Sequence, residues 1–176
     1  MADAAQQFAQ FKNLLVTPEP PALGPQRRDG AMPLKELTDK LAAFFERENI
    51  PTPAQPLLKS AALLWHDHLT ESHEISQHIE TPEGSWLHGI LHRREPDYEN
   101  AKYWFRRVGQ HEAFRLMTER AGRNDELLTS GQWDPLAFID AVEKAEQGKD
   151  AASASMLRQV QAVEFDILLA HLFQNA

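Results

Sequence analysis

Prolines cut this chain into segments, and within each segment the apolar residues return every three or four positions rather than every second one. Phe8, Phe11, Leu14 and Leu15 share one face of a helix over residues 4–16. Pro18, Pro20, Pro21 and Pro25 then impose a stiff non-helical connector over residues 17–32. Pro33 suits a helix start, and Leu34, Leu37, Leu41, Phe44 and Phe45 continue the period until Pro51 and Pro53 stop it. Leu57, Leu58, Ala61, Leu64, Trp65, Leu69, Ile75 and Ile79 predict a central helix over residues 55–79. Further helices are expected over 86–94, over 98–108 with Asp97 as cap, over 112–121, over 135–146 with Asp134 as cap, and over 153–173. No window alternates as a strand does. The expectation is all-α: one irregular bundle of about seven helices over residues 1–176, with residues 1–16 as an N-terminal helical arm.

The 176 residues, 42% of them hydrophobic, suffice for one substantial core. Cysteine is absent, which excludes disulfides and thiolate metal sites, and the cytoplasm is the expected location. Acidic residues outnumber Lys and Arg by 26 to 18, for a net charge of −8, so nucleic acid is not an expected partner. No apolar run reaches membrane-spanning length, so no membrane role is expected. The arm, with Phe8 and Phe11, offers a surface for a homo-oligomer.

Six of the eight histidines fall between His66 and His92. On a continuous central helix His66, His73 and Gln77 form a polar stripe, while His68 points into the apolar arc as a hydrogen-bonded core residue. His66 and His78 read as solvated. The sharper spacing is His88-Gly89-Ile90-Leu91-His92-Arg93-Arg94-Glu95, where two imidazoles lie one turn apart and a carboxylate follows nearly one turn later. Such a set suits a divalent metal such as Zn, Fe or Mn, and His73 from a neighbouring helix can complete it. His73, His88 and His92 are also candidates for general acid–base work near neutral pH. The competing reading has His88 and His92 hydrogen-bonded across the bundle and Glu95 paired with an arginine. Gly89, inside a helix, signals the close approach of a neighbouring group.

Between Arg93 and Arg107 five cations accompany four aromatic residues. Ala101, Trp104, Phe105 and Val108 form a buried face, with Asn100, Tyr103 and Arg107 along one edge and Lys102 with Arg106 along another. Arg93, Arg94, Asn100, Lys102, Tyr103 and Arg107 are therefore candidate ligands for a small anionic molecule, since guanidinium offers two oxygens a planar fork of donors. The alternative is structural: the arginines serve helix ends and ion pairs. Glu164, interrupting the apolar last helix, is expected to pair with an arginine.

The run Gly84-Ser85-Trp86-Leu87-His88-Gly89-Ile90-Leu91-His92-Arg93-Arg94-Glu95-Pro96-Asp97, continued by Asn100-Ala101-Lys102-Tyr103-Trp104-Phe105-Arg106-Arg107-Val108-Gly109, resembles the signature of an uncharacterised bacterial and fungal protein family. The resemblance transfers no catalytic residue; it implies that this segment defines the protein. Two functions follow from the residues. One is a helical enzyme or binding protein with a His/Arg pocket for a small anionic ligand, with or without a divalent metal. The other is a noncatalytic interaction protein whose His/Arg segment is an ion-paired spine.

Overall fold

The computed structural model describes residues 3–121 and 124–176, so the first two residues of the expected arm lie outside the described residues. Among the described residues nine α-helices pack into one all-helical domain, with one two-stranded hairpin. They are α1 (Ala4–Lys12), α2 (Leu34–Glu48), α3 (Gln55–Trp65), α4 (Leu69–Ser76), α5 (Pro82–Arg94), α6 (Tyr98–Val108), α7 (Phe114–Ala121), α8 (Pro135–Gly148) and α9 (Ala151–Gln174). The hairpin, β1 (Leu128–Thr129) with β2 (Gln132–Trp133), is antiparallel and lies between α7 and α8. None of these helices is long and apolar enough to cross a membrane.

The helix starts follow from side-chain chemistry. Thr81, Asp97 and Asp134 each accept a backbone N–H from the first turn of α5, α6 and α8, which satisfies donors that a helix leaves unpaired at its start. Pro82 and Pro135 occupy the first helical position, where a missing N–H costs nothing. α5 thus starts at Pro82, earlier than the expected residue 86, because Pro82 with Thr81 before it is a start signal rather than a break.

The central element is α5, not the 55–79 segment. Every residue from Gly84 to Arg94 is buried, with α6 antiparallel against it. Gly89 permits this pairing: a Cβ there would come within 2.6 Å of the Phe105 ring. A helix covered on all sides and carrying Ser85, His88, His92, Arg93 and Arg94 must find partners for each of them inside the protein.

The expected 55–79 helix is broken at His66–His68 into α3 and α4. Asp67 takes a left-handed conformation (φ 65°), and its carboxylate is gripped from two distant places: by the backbone N–H and Nε of Arg28 at 3.0 and 2.9 Å, and by Arg94 at 2.7 Å. His66 is fully buried rather than solvated. It accepts the Met32 N–H at Nδ1 (3.0 Å) and donates from Nε2 to the Leu14 carbonyl (2.6 Å). Burial, the largest effect, holds it below the ordinary histidine value of 6.5. His68 is the expected core histidine, bonded to the Met32 carbonyl at 2.8 Å, and His78 is exposed.

The N-terminal helix is not a projecting arm. Phe11 is fully buried, with its ring 5.4 Å from Phe44 and 5.3 Å from Phe173, and Phe8 lies 5.9 Å from Phe173. A buried phenylalanine contributes about 1.5–3 kcal/mol, which explains why this face packs on α2 and α9 of its own chain. The aromatic surface on which the oligomer expectation rested is therefore already covered. The connector is strapped down as well, since Gln161 donates to the Pro21 and Ala22 carbonyls and Leu23 is buried.

Candidate metal centre

One turn of α5 separates His88 from His92, and their rings lie nearly parallel with centroids 4.7 Å apart. His73, the fifth residue of the short α4, meets both edge-on, at 4.8 Å from His88 and 5.2 Å from His92. One nitrogen from each of the three imidazoles lies within 4.8 Å of the others. His88 and His92 are buried and His73 is half-buried, so the cluster is reached from the α4 side.

The nitrogens of His88 have unequal surroundings. The Ser76 backbone carbonyl faces the ring, whereas Nδ1 is buried without any hydrogen-bond partner. The Trp104 ring lies flat against the imidazole at 4.0 Å and fixes its plane. His92 Nδ1 is 3.2 Å from Glu95 Oε2, and the Asn100 amide, itself held by Asp97, lies 3.2 Å from His92 Nε2. Asn100 Nδ2 also donates to Asp97 Oδ2 at 3.2 Å, which fixes the amide with its nitrogen towards the ring.

Burial, followed by the neighbouring His92 and His73, pushes His88 down to about 4. Burial likewise holds His92 below 6.5, although Glu95 and Asp97 pull the other way. Both are therefore neutral at pH 7, the protonation state in which imidazole donates a lone pair to a metal.

The expected arginine ligands are elsewhere. Arg93 is fully buried on the opposite side of α5, bonded to Glu164 (2.6 and 3.3 Å) and Gln161 (3.0 Å), with its guanidinium 4.4 Å from the Phe138 ring. Glu164 also accepts from Trp86 Nε1 at 3.0 Å, so its expected pairing with an arginine is the observed one. Arg94 is fully buried against Asp67 and the Leu64 carbonyl. Burial pulls Arg94 below its ordinary value; Asp67 lies below the carboxylate range despite its own burial, because Arg28 and Arg94 bond its charged form. The terminal nitrogens of both arginines are thus taken by protein acceptors, and the Nε of each is buried without a partner.

The α6 candidates divide. Asn100 belongs to the cluster. Lys102 bonds Glu99 at 2.9 Å and Asp140 at 2.8 Å, away from it. Arg107 lies 5.2 Å from the Trp104 ring and 6.0 Å from the Tyr103 ring, and the Trp104 ring also stacks on His88. Tyr103 is half-exposed and touches Trp104 edge-on.

A second convergence has no counterpart in the sequence pattern. Glu83 at the start of α5, His111 in the turn after α6 and His171 near the end of α9 bring one ligand-type atom each within 4.8 Å. Separations of 28 and 60 positions leave no periodic signal to read.

No family model matches the chain, and neither the curated proteins nor the solved structures searched contain a match.

Proposed function

We propose that this protein is a helical metalloprotein in which His73, His88, His92 and Glu95 hold one divalent first-row transition ion, zinc being the natural fit for imidazole and carboxylate donors without thiolate. The observation that carries this reading is His88 Nδ1: a buried ring nitrogen with no hydrogen-bond partner, on an imidazole that burial holds neutral, with the rings of His73 and His92 beside it. A buried acceptor left bare costs about 1–3 kcal/mol, and a metal ion would use that lone pair. Tetrahedral zinc with Zn–N bonds near 2.1 Å needs donor separations of about 3.4 Å. His92 Nδ1 and Glu95 Oε2 stand at 3.2 Å, and a shared ion would draw the three imidazoles, whose nitrogens lie within 4.8 Å of one another, to that spacing.

Charge supports a cation over a directly bound anion. Glu95 and Asp97 flank the cluster, while Arg93, Arg94, Lys102 and Arg107 face other partners. A small anionic ligand then enters by way of the metal, which attracts it and polarises it, and not by way of arginines. With Glu95 on the ion the centre is closed and structural. With Glu95 kept on His92 as the carboxylate that orients a ligating imidazole, the fourth position belongs to a water, whose pKa zinc lowers to about 7. The segment that resembles the bacterial and fungal family signature supplies three of the four donors.

The test is a Co2+ titration of protein purified without an affinity tag. One equivalent should produce the intense visible absorption of a low-symmetry cobalt centre, displaced by Zn2+ and lost in His88→Ala with the helical circular dichroism retained. Absence of stoichiometric binding in the folded wild-type protein refutes the metalloprotein and leaves the buried spine as the role of the segment.

A further inference from the structure

Glu83 Oε1 lies 3.3 Å from His111 Nε2 and 3.4 Å from His171 Nε2, so one carboxylate oxygen receives two imidazoles from two different elements. The outer nitrogens identify which ring atoms carry the protons. Ala113 N–H donates to His111 Nδ1 at 3.2 Å, so the neutral ring carries its proton on Nε2 and donates it to Glu83. The Asn175 amide nitrogen lies 3.3 Å from His171 Nδ1 and sets the same tautomer there. A metal on the two Nε2 atoms needs both tautomers reversed. Glu83 also stands in the first turn of α5, where the helix dipole favours an anion and disfavours a cation. The cluster is therefore built for protons.

We infer that Glu83, His111 and His171 form a proton-operated latch: with neutral imidazoles it holds the turn over residues 109–113 against α5 and α9, and protonation of His111 releases the Ala113 end of the turn while Glu112 stays at His171 on α9. The asymmetry comes from what each ring meets when it gains a second proton. On His111 that proton falls on Nδ1, directly opposite the Ala113 N–H, setting donor against donor. On His171 it falls on Nδ1, where Glu112 Oε1 waits at 3.5 Å to accept it. The charged and titratable groups facing His111 are Glu83 from α5, His171 from α9 and Glu112 from the turn itself.

The electrostatics agree with this geometry. Burial, more than any other influence, holds His111 below 6.5, although Glu83 and Glu112 raise it. Glu83 lies below the usual carboxylate value despite its burial, because its own backbone N–H, the Thr81 hydroxyl and His111 bond its charged form. These bonds favour its charged form, the form that accepts from His111. Since the folded value of His111 is below the unfolded one, its contribution is complete above pH 6.5 and is lost as the pH falls from 6.5 through the lower folded value. His111 and Phe114 form part of the wall of a groove of about 1030 Å³ between α6, α7 and the hairpin, so release of the turn reshapes that groove.

Histidine ring ¹⁵N resonances, followed against pH in the full chain together with amide exchange at Ala113 corrected for its intrinsic rate, test the latch. The expected result is the Nε2–H tautomer of His111 at pH 7.5, a midpoint below 6.5, and a several-fold loss of Ala113 protection over that same midpoint while amides in α3 keep theirs. In Glu83→Gln the His111 midpoint moves lower still, since the carboxylate that favours imidazolium is gone. In His111→Gln, which keeps a donor but does not titrate, Ala113 protection becomes independent of pH in this range. The opposite tautomer, Ala113 protection unaffected by the His111 titration, or a Zn2+-induced shift of the His111 Nε2 resonance at one equivalent each overturns the proposal.

Discussion

His92 and Arg93 are neighbours on α5, buried to within a few per cent of each other, yet they belong to opposite kinds of interior. On the Arg93 side each guanidinium meets a carboxylate: Glu164, with Gln161 and the Phe138 face, closes on Arg93, and Asp67, shared with Arg28, closes on Arg94, although Nε of each arginine is buried without a partner. On the His92 side three imidazoles crowd together, and His88 Nδ1 has no partner. A guanidinium and a carboxylate explain each other's burial, whereas the imidazoles gather with no counterpart among themselves, and the proposed metal site rests on that contrast.

The largest effect should come from breaking the spine. Glu164→Gln leaves Arg93 buried without its counter-charge, and loss of one partner of such a pair costs about 3–5 kcal/mol. Chemical denaturation should show that loss, while Co2+ affinity stays within about twofold because the pair lies across α5 from the imidazoles. Replacing both partners, Arg93→Met with Glu164→Leu, should recover a large part of the stability. Trp86 Nε1 and Gln161 then lose acceptor and donor, each worth about 1–3 kcal/mol when left bare, so recovery should be incomplete. A cost below about 1 kcal/mol for the single change would erase the distinction between the two sides.

A smaller effect sharpens the other side. With His88 at about 4 in the folded protein and 6.5 as its ordinary value, the folded state binds fewer protons than the unfolded state between these limits. The stability of the metal-free protein should therefore be highest above pH 6.5 and decline as the pH falls from 6.5 towards 4. His88→Asn should flatten that decline, since asparagine does not titrate. Added zinc should raise stability most above pH 6.5, by about 2.7 kcal/mol when the free metal is a hundredfold above its dissociation constant. Unfolding curves across this range that coincide for wild type and His88→Asn would show that the ring is not held neutral by its surroundings.

Local chemistry made much of this fold legible. Thr81-Pro82, Asp97 and Asp134-Pro135 mark helix starts through their own side chains, and the one-turn spacing of His88 and His92 puts both on one face whatever surrounds them. What the chain hides is decided by residues far apart in sequence. Nothing between Trp65 and Leu69 breaks a helix by composition; the break comes from Arg28 and Arg94 pulling on Asp67. Phe8 and Phe11 look the same whether they cover a partner or Phe173 of their own chain. Glu164 is expected from sequence to meet an arginine, but only the fold shows that the arginine is Arg93 and that Asp67 takes Arg94.

The smallest expected effect concerns the outer edge of α6, where both interiors give way to solvent. Lys102 is three-quarters or more covered along its stem but joins Glu99 and Asp140, whose side chains are 81% and 62% exposed. Ion pairs with such exposed partners are worth about 0.2–1 kcal/mol, because water and salt screen them and two long side chains must be held in place. These two acids raise the Lys102 ammonium above its ordinary value, so it stays charged throughout the neutral range. Lys102→Met should therefore lower stability by no more than about 1 kcal/mol, with the deficit shrinking at high salt, and leave Co2+ binding unchanged. If an anionic ligand were held by α6 cations instead of by the metal, the same substitution would weaken its binding in metal-free protein. Isothermal titration with a small carboxylate, with and without zinc, distinguishes these cases: binding should need the metal and be indifferent to Lys102.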